Sequence, residues 1–472
     1  MIIPVFSFIY LCIIGKIIIS NDVPKYTFLK LLTLGSILDV LYLQGAFISN
    51  IDQLSCANIT RFIIFIYSVY LTKIYKIRLP DKNFYIMAFF LMSSFVGIAY
   101  EVVDPYDGLV LTSMDWDSYA LGVVSKEHID INIGRTVGLY IKLVIYCFSG
   151  MVLKEILDRE DVMYAISKIV IWTDVVVIYG LIEFFICNVL NDTNFIIDFK
   201  SMFFGVSDAT RTSIEKRGEF FSLMGFTKEP SYFAICLYVK LWMTLLLYNM
   251  YAVTKTAHLF LNKYRIFMVI ITIVELYMIG SFSVVWFYFM LMILGAALYT
   301  RRKKYSIREK CIISVSIVLV LCLMGWGMTF MLNDGTYIGN RLALGLEAWE
   351  NIVTGYVWSF AILDSSTVRF MSIIEVAVDA FSRPFFGLGI GIQAAHDSVV
   401  TMLSDFGIVG IVLWFMAVTF QWRKKKYDKF VLFIFFFIGG LPVGYGRDYA
   451  FQLLYVLMIE ALASEENKNV GA

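Results

Sequence analysis

Arg369, Arg383 and His396 stand in one stretch, RFMSIIEVAVDAFSRPFFGLGIGIQAAHDSVV, where a basic helix, a glycine-rich turn and a histidine follow one another. Guanidinium groups have the fork shape that grips a phosphate or pyrophosphate. A neutral imidazole accepts a hydroxyl proton near pH 7. Such a place holds an anion on one side and a proton acceptor on the other. Arg211 and Arg217 fall in another long polar stretch, Arg341 falls earlier in the one that holds Arg369, and together they extend the basic set. Each arginine alone has an ordinary reading, snorkelling or solvation at the headgroups; as a group beside glycine-rich neighbours, they favour an anion. Glu229 precedes Pro230-Ser231 at the mouth of an apolar run. Its carboxylate suits the dipole of the helix that follows and equally suits a sugar hydroxyl, while Ser231 and Pro230 read as a cap and a helix start. Asp397 either orients His396 or caps the next helix, and capping is the favoured role.

The elements that carry these residues follow from hydrophobic period. Arg369, Ser372, Glu375, Asp379 and Arg383 recur at helical spacing with Phe370, Ile373, Ile374, Ala377, Val378 and Phe381 between them. That predicts an amphipathic helix able to lie against a bilayer, stopped by Pro384. Across the chain 60% of residues are hydrophobic, 17% aromatic and 16% charged, a balance far outside the soluble norm. The expectation is an all-α polytopic membrane protein with about 12–13 transmembrane helices and amphipathic external helices. Expected spans cover 2–19, 27–49, 61–77, 83–100, 135–153, 165–189, 232–252, 264–280, 281–300, 311–332, 398–422, 429–444 and 449–463, within one integral membrane domain over 1–472. Residues 2–19 are read as a first span, because no small-residue cleavage site follows and Lys16 sits at the wrong end for a leader.

Charge orients the spans. Lys73, Lys76, Arg78 and Lys82, then Lys154 and Arg159, then Arg301 to Lys304 and Arg423 to Lys426 alternate with long acidic or mixed loops, so the basic set is cytoplasmic. Three external loops, 101–134, 190–231 and 333–397, exceed what a connector needs. Asp39, Lys142, Asp174, Glu183, Lys240 and Glu275 lie inside spans and are expected to form interhelical ion pairs. The net charge of +1 gives no reason to expect nucleic acid, and the seven cysteines show neither a disulfide framework nor metal-ligand spacing. No Gly/Pro-broken helices at matching positions are evident, which weighs against a transporter.

The order Arg217…Gly225-Phe226…Glu229-Pro230-Ser231-Tyr232-Phe233-Ala234, then Arg369…Pro384…Gly387-Leu388-Gly389…His396, then Asp405-Phe406-Gly407-Ile408-Val409-Gly410, resembles the O-antigen polymerase and ligase superfamily of bacterial envelopes over roughly 211–422. The chain departs from that pattern with Asp397 after the histidine, and with Glu229-Pro230-Ser231 where Asn-Pro-Asn is common. The resemblance implies a GT-C-like, metal-independent and cofactor-free glycosyltransferase at the external face of the inner membrane. It implies undecaprenyl-pyrophosphate-linked glycans as substrates and a chain-length regulator protein as a partner. By that resemblance His396, Arg369 and Glu229 are the catalytic set, and Arg211, Arg217, Arg341, Arg383 and Asp397 bind pyrophosphate or substrate. A ligase acting on lipid A–core and a flippase of lipid-linked oligosaccharide are the alternatives.

Overall fold

The computed structural model describes residues 4–20, 23–40, 55–77, 82–108, 110–111, 126–127, 133–157, 159–204, 214, 216–217, 220–227, 230–252, 263–279, 350, 365–393, 395 and 398–419. Helix accounts for 83% of them, so the all-α expectation holds at the level of class. In chain order the helices are α1 (Val5–Ile19), α2 (Pro24–Val40), α3 (Cys56–Ile74), α4 (Lys82–Val103), α5 (Ile133–Ile156), α6 (Arg159–Phe184), α7 (Thr193–Phe204), α8 (Pro230–Ala252), α9 (Lys263–Met278), α10 (Ser365–Ser382) and α11 (Ser398–Thr419). Two short antiparallel pairs interrupt them: β1 (Val110–Leu111) with β2 (Lys126–Glu127), and β3 (Lys216–Arg217) with β4 (Phe220–Phe221). Each expected span that falls on described residues coincides with a helix. The expected spans 281–300, 311–332, 429–444 and 449–463 lie outside the described residues.

Among the described residues, three helical segments are long and apolar enough to cross a membrane: Phe84–Val103, Thr136–Leu153 and Met163–Val189. The first two have 20 and 18 residues. At about 1.5 Å per residue, they match a hydrocarbon core about 30 Å thick. Their large side chains point outward: Phe89, Met92 and Phe95 on α4 are 59%, 62% and 57% exposed. So continuous an apolar face is of the kind that lipid covers.

The described residues divide into two compact units. The first draws on 1–20, 33–59 and 163–343. Here Phe6 of α1 packs on Phe203 and Phe204 of α7, and Phe204 meets Phe226. α8 is buried all round from Phe233 to Met243, the pattern of a helix with protein on every side. The second unit draws on 21–32, 60–162 and 344–472. There α4 packs on α11 and α5, and α10 packs on α11. Phe90 of α4 stacks edge-on against Phe406 of α11 at 5.2 Å, and Gly97 lets Phe386 approach, since a Cβ there would stand 2.7 Å from the Phe386 carbonyl oxygen.

Two features depart from the sequence reading. α7 is a helix within 190–231, the expected external loop, at a place where the sequence reading named none. α11 is broken: Gly407 takes φ 64° and ψ −175°, in a region open essentially to glycine alone. The expected lack of broken helices therefore does not hold at this position. A lone glycine inside an apolar run reads as helix from its neighbours, and the break depends on what packs against it.

Candidate functional site

In the second unit, the stretch after α10 forms a turn that fills the break in α11. α10 ends at Ser382, as Pro384 requires, and Gly387, Gly389 and Gly391 all adopt positive φ. The amides of Ile408 and Val409, which lose their helical partners at Gly407, donate instead to the Pro384 and Phe385 carbonyls at 2.8 and 3.2 Å. The Ser404 carbonyl, left open by the same break, accepts from Leu388 N–H at 2.7 Å. Asp405 is fully buried and accepts the Gly391 amide at 3.0 Å. Thr401 accepts the Ala395 amide at 3.0 Å and donates to its carbonyl at 3.3 Å. Irregular backbone in an apolar interior persists only where protein groups satisfy it, and each of these bonds does so. The chain is thereby pinned immediately before His396.

α10 turns its polar stripe inward. Ser372, Glu375 and Asp379 are buried, whereas Val378 and Phe381 are each 62% exposed. The helix thus sets apolar side chains outward and directs its charged stripe to the protein interior. Arg369 precedes Ser372 by three positions on this helix.

Arg383 has a different partner from the one helical spacing suggests. Its guanidinium pairs with Glu101, donates to the Asp104 carbonyl and stands 3.7 Å from the Asp104 carboxylate. Tyr100 lies under it, with the ring centroid at 4.6 Å. Asp379, four residues back along α10, accepts instead from the Tyr106 hydroxyl at 3.4 Å. The cause is local: Arg383 lies past the helix end, so the i,i+4 geometry is lost. Sequence reasoning placed Arg383 among the pyrophosphate ligands; here its charge is neutralised by Glu101 and boxed by aromatic rings.

The first unit holds the segment that leads into α8. Beyond Phe184 the last turn of α6 widens to a π-turn over Phe185–Val189, and this presents Asn188. The Asn188 side chain accepts from Phe221 N–H at 2.6 Å and donates to the Phe221 carbonyl at 3.5 Å, standing in for a strand partner of β4. One turn earlier, Glu183 Oε1 accepts the Met224 amide at 3.1 Å and lies 3.4 Å from Lys200 Nζ. Both side chains of that pair are buried. Burial pushes the Lys200 ammonium below the ordinary lysine range, and Glu183 beside it opposes the shift. Gly225, at φ 55°, closes a turn in which Thr227 bonds back to Met224. Pro230 then opens α8, as the sequence predicted.

Comparison with family models, with curated proteins and with solved structures finds no match.

Of the residues singled out from sequence, Arg211, Glu229, Arg341, His396 and Asp397 lie outside the described residues. Arg217 is placed on β3 and Arg369 on α10 by their backbones. The ion-pair expectation for charges within helices is met by Asp174, which pairs with Lys240 of α8 at 2.9 Å and with Arg265 of α9. Glu183 meets it too, through Lys200 of α7. The positioning residues Asn188, Thr401 and Asp405 were missed. Their only sequence signal is a polar side chain in or beside an otherwise apolar run.

Proposed function

We propose that this chain is a polytopic inner-membrane glycosyltransferase of GT-C-like architecture that polymerises lipid-linked repeat units at its external face. The growing glycan leaves its undecaprenyl pyrophosphate carrier and passes to a hydroxyl of the next lipid-linked unit. The acceptor oxygen bonds to the anomeric carbon, the carbon–oxygen bond to pyrophosphate breaks, and the diphosphate departs with the electron pair. His396 takes the hydroxyl proton, with Glu229 as the fallback, and Arg369 offsets the charge that grows on the leaving group. Arg211, Arg217 and Arg341 are further diphosphate contacts, and Asp397 orients or caps beside His396. The observation that carries this reading is the glycine turn locked into the break of α11, because it fixes the backbone from the end of the arginine-bearing helix to Ala395, the residue before His396 in the sequence. Fixed donors aimed at developing charge contribute most of the rate acceleration in catalysis of this kind.

The decisive experiment is deletion of the gene, with restoration by variants. Loss of a polymerase leaves the lipopolysaccharide core bearing a single repeat unit; loss of a ligase leaves bare core. Arg369→Ala is expected to abolish chain extension while the protein remains in the membrane. An Arg369→Ala protein that restores full-length chains removes the assigned role. The break in α11 favours a second reading, a flippase, since broken helices build binding sites in transporters. Purified protein that moves lipid-linked units across liposomes without lengthening them would establish that reading instead.

A further inference from the structure

Charges on α6, α8 and α9 gather in a buried group within the first unit. Lys240 stands 2.9 Å from Asp174 Oδ1 and donates to Thr272 Oγ1 at 2.8 Å, while Arg265 pairs with Asp174 Oδ2. Asp174 therefore holds two cations where one would balance it. Glu275 follows Thr272 by three positions and so lies on the same side of α9. It is fully buried, and among the described residues neither carboxylate oxygen completes a hydrogen bond of ordinary geometry, although the Leu181 backbone lies close to it. Gly180 of α6 makes room for it: a Cβ at that position would stand 2.8 Å from Glu275 Oε1 and 3.0 Å from the Phe233 ring. The titratable groups facing it are Lys240 and Cys236 of α8 and Glu183 of α6. An ionised carboxylate enclosed without well-placed donors is among the costliest arrangements a protein interior can hold, and such groups take up a proton instead. The neutral acid has only one hydroxyl to accommodate.

We propose that Glu275 is a buried, exchangeable proton-binding site, with Lys240 as the cation that supports its ionised form. With Lys240 turned to Asp174 and Thr272, as here, Glu275 is the neutral acid. When the proton passes to water, the Lys240 ammonium turns to the new carboxylate and Asp174 keeps Arg265. Each state is then paired, and the two differ by one proton. The inference stands apart from the glycan reading, because its readout needs no substrate.

The test is infrared spectroscopy of the full chain in lipid nanodiscs. At neutral pH, the native-minus-Glu275→Gln difference is expected to contain the carbonyl band of a protonated carboxylic acid. The antisymmetric carboxylate band in its place overturns the proposal. Raising the pH is expected to abolish the acid band reversibly, and a band that never titrates also overturns it. Lys240→Met is expected to retain the acid band at a pH where the native protein has lost it, because the supporting cation is gone; identical titrations overturn Lys240's role. Glu275→Asp keeps an acid and displaces the same band, which secures the assignment if the amide variant does not fold.

Discussion

Arg383 lies one residue past the last turn of α10, and that step decides its partner. Inside the helix it would reach back to Asp379; beyond it, the chain turns at Pro384 and the guanidinium meets Glu101 of α4. The pair is mostly shielded, with the two side chains 12% and 5% exposed. Removing one member of a shielded pair leaves the other charge uncompensated, which costs about 3–5 kcal/mol. Arg383→Ala and Glu101→Gln should each lower thermal stability in detergent by that order. The double variant Glu101→Gln/Arg383→Met should recover part of the loss, since an apolar replacement of both removes the stranded charge. If the single losses simply add in the double variant, the two side chains do not act as a pair.

At the scale of elements, the break in α11 and the turn before it stabilise one another. Gly407→Ala would force a side chain into a backbone region closed to alanine and against the Phe385 carbonyl. The strain alone is about 1–3 kcal/mol, and a continuous helix would also forfeit the bonds to Pro384 and Phe385. Gly407→Ala is therefore expected to insert in the membrane but to lose protease resistance across 383–395. Gly138→Ala, where a Cβ meets nothing within 4 Å, should be neutral or gain up to about 1 kcal/mol from helix propensity. Much of this architecture was legible in the sequence wherever a local rule governs. The period of Arg369 to Asp379 gave α10, Pro384 its end and Pro230 the start of α8, because period and proline act on neighbouring residues. The break at Gly407 and the hairpin held by Asn188 were not legible. Asn188 and Phe221 are 33 residues apart, and their bond arises only once α6 and β4 are side by side. For the candidate site, residue types and order were legible. The pairing of Arg383 was not legible, because its acidic partner lies 282 positions away.

At the scale of the whole molecule, charge at the two ends of α4 carries the orientation. Lys73 and Lys76 precede it, Glu101 lies in its last turn and Asp104 and Asp107 follow, and its 20-residue apolar span has mean hydropathy 1.9. Lysine and arginine are retained on the cytoplasmic side, so the Asp107 end should face outward. Both Lys76 and Asp107 are exposed and lie outside the helices, where a single cysteine can be introduced and reached. Among the described residues Cys12 is exposed, so the labelling background must carry Cys12→Ser. Cys56, Cys147, Cys187 and Cys236 are buried, and burial pushes the Cys56 thiol up to about 11, leaving it protonated and unreactive at neutral pH. A membrane-impermeant maleimide should label Asp107→Cys in intact cells, and should label Lys76→Cys only after the inner membrane is opened. The reverse pattern would place the acidic loop, and with it Arg383 and the glycine turn that α4 contacts, in the cytoplasm. Lipid-linked glycans presented outside would then be out of reach of α10, so this one measurement bears on orientation and on the proposed chemistry together.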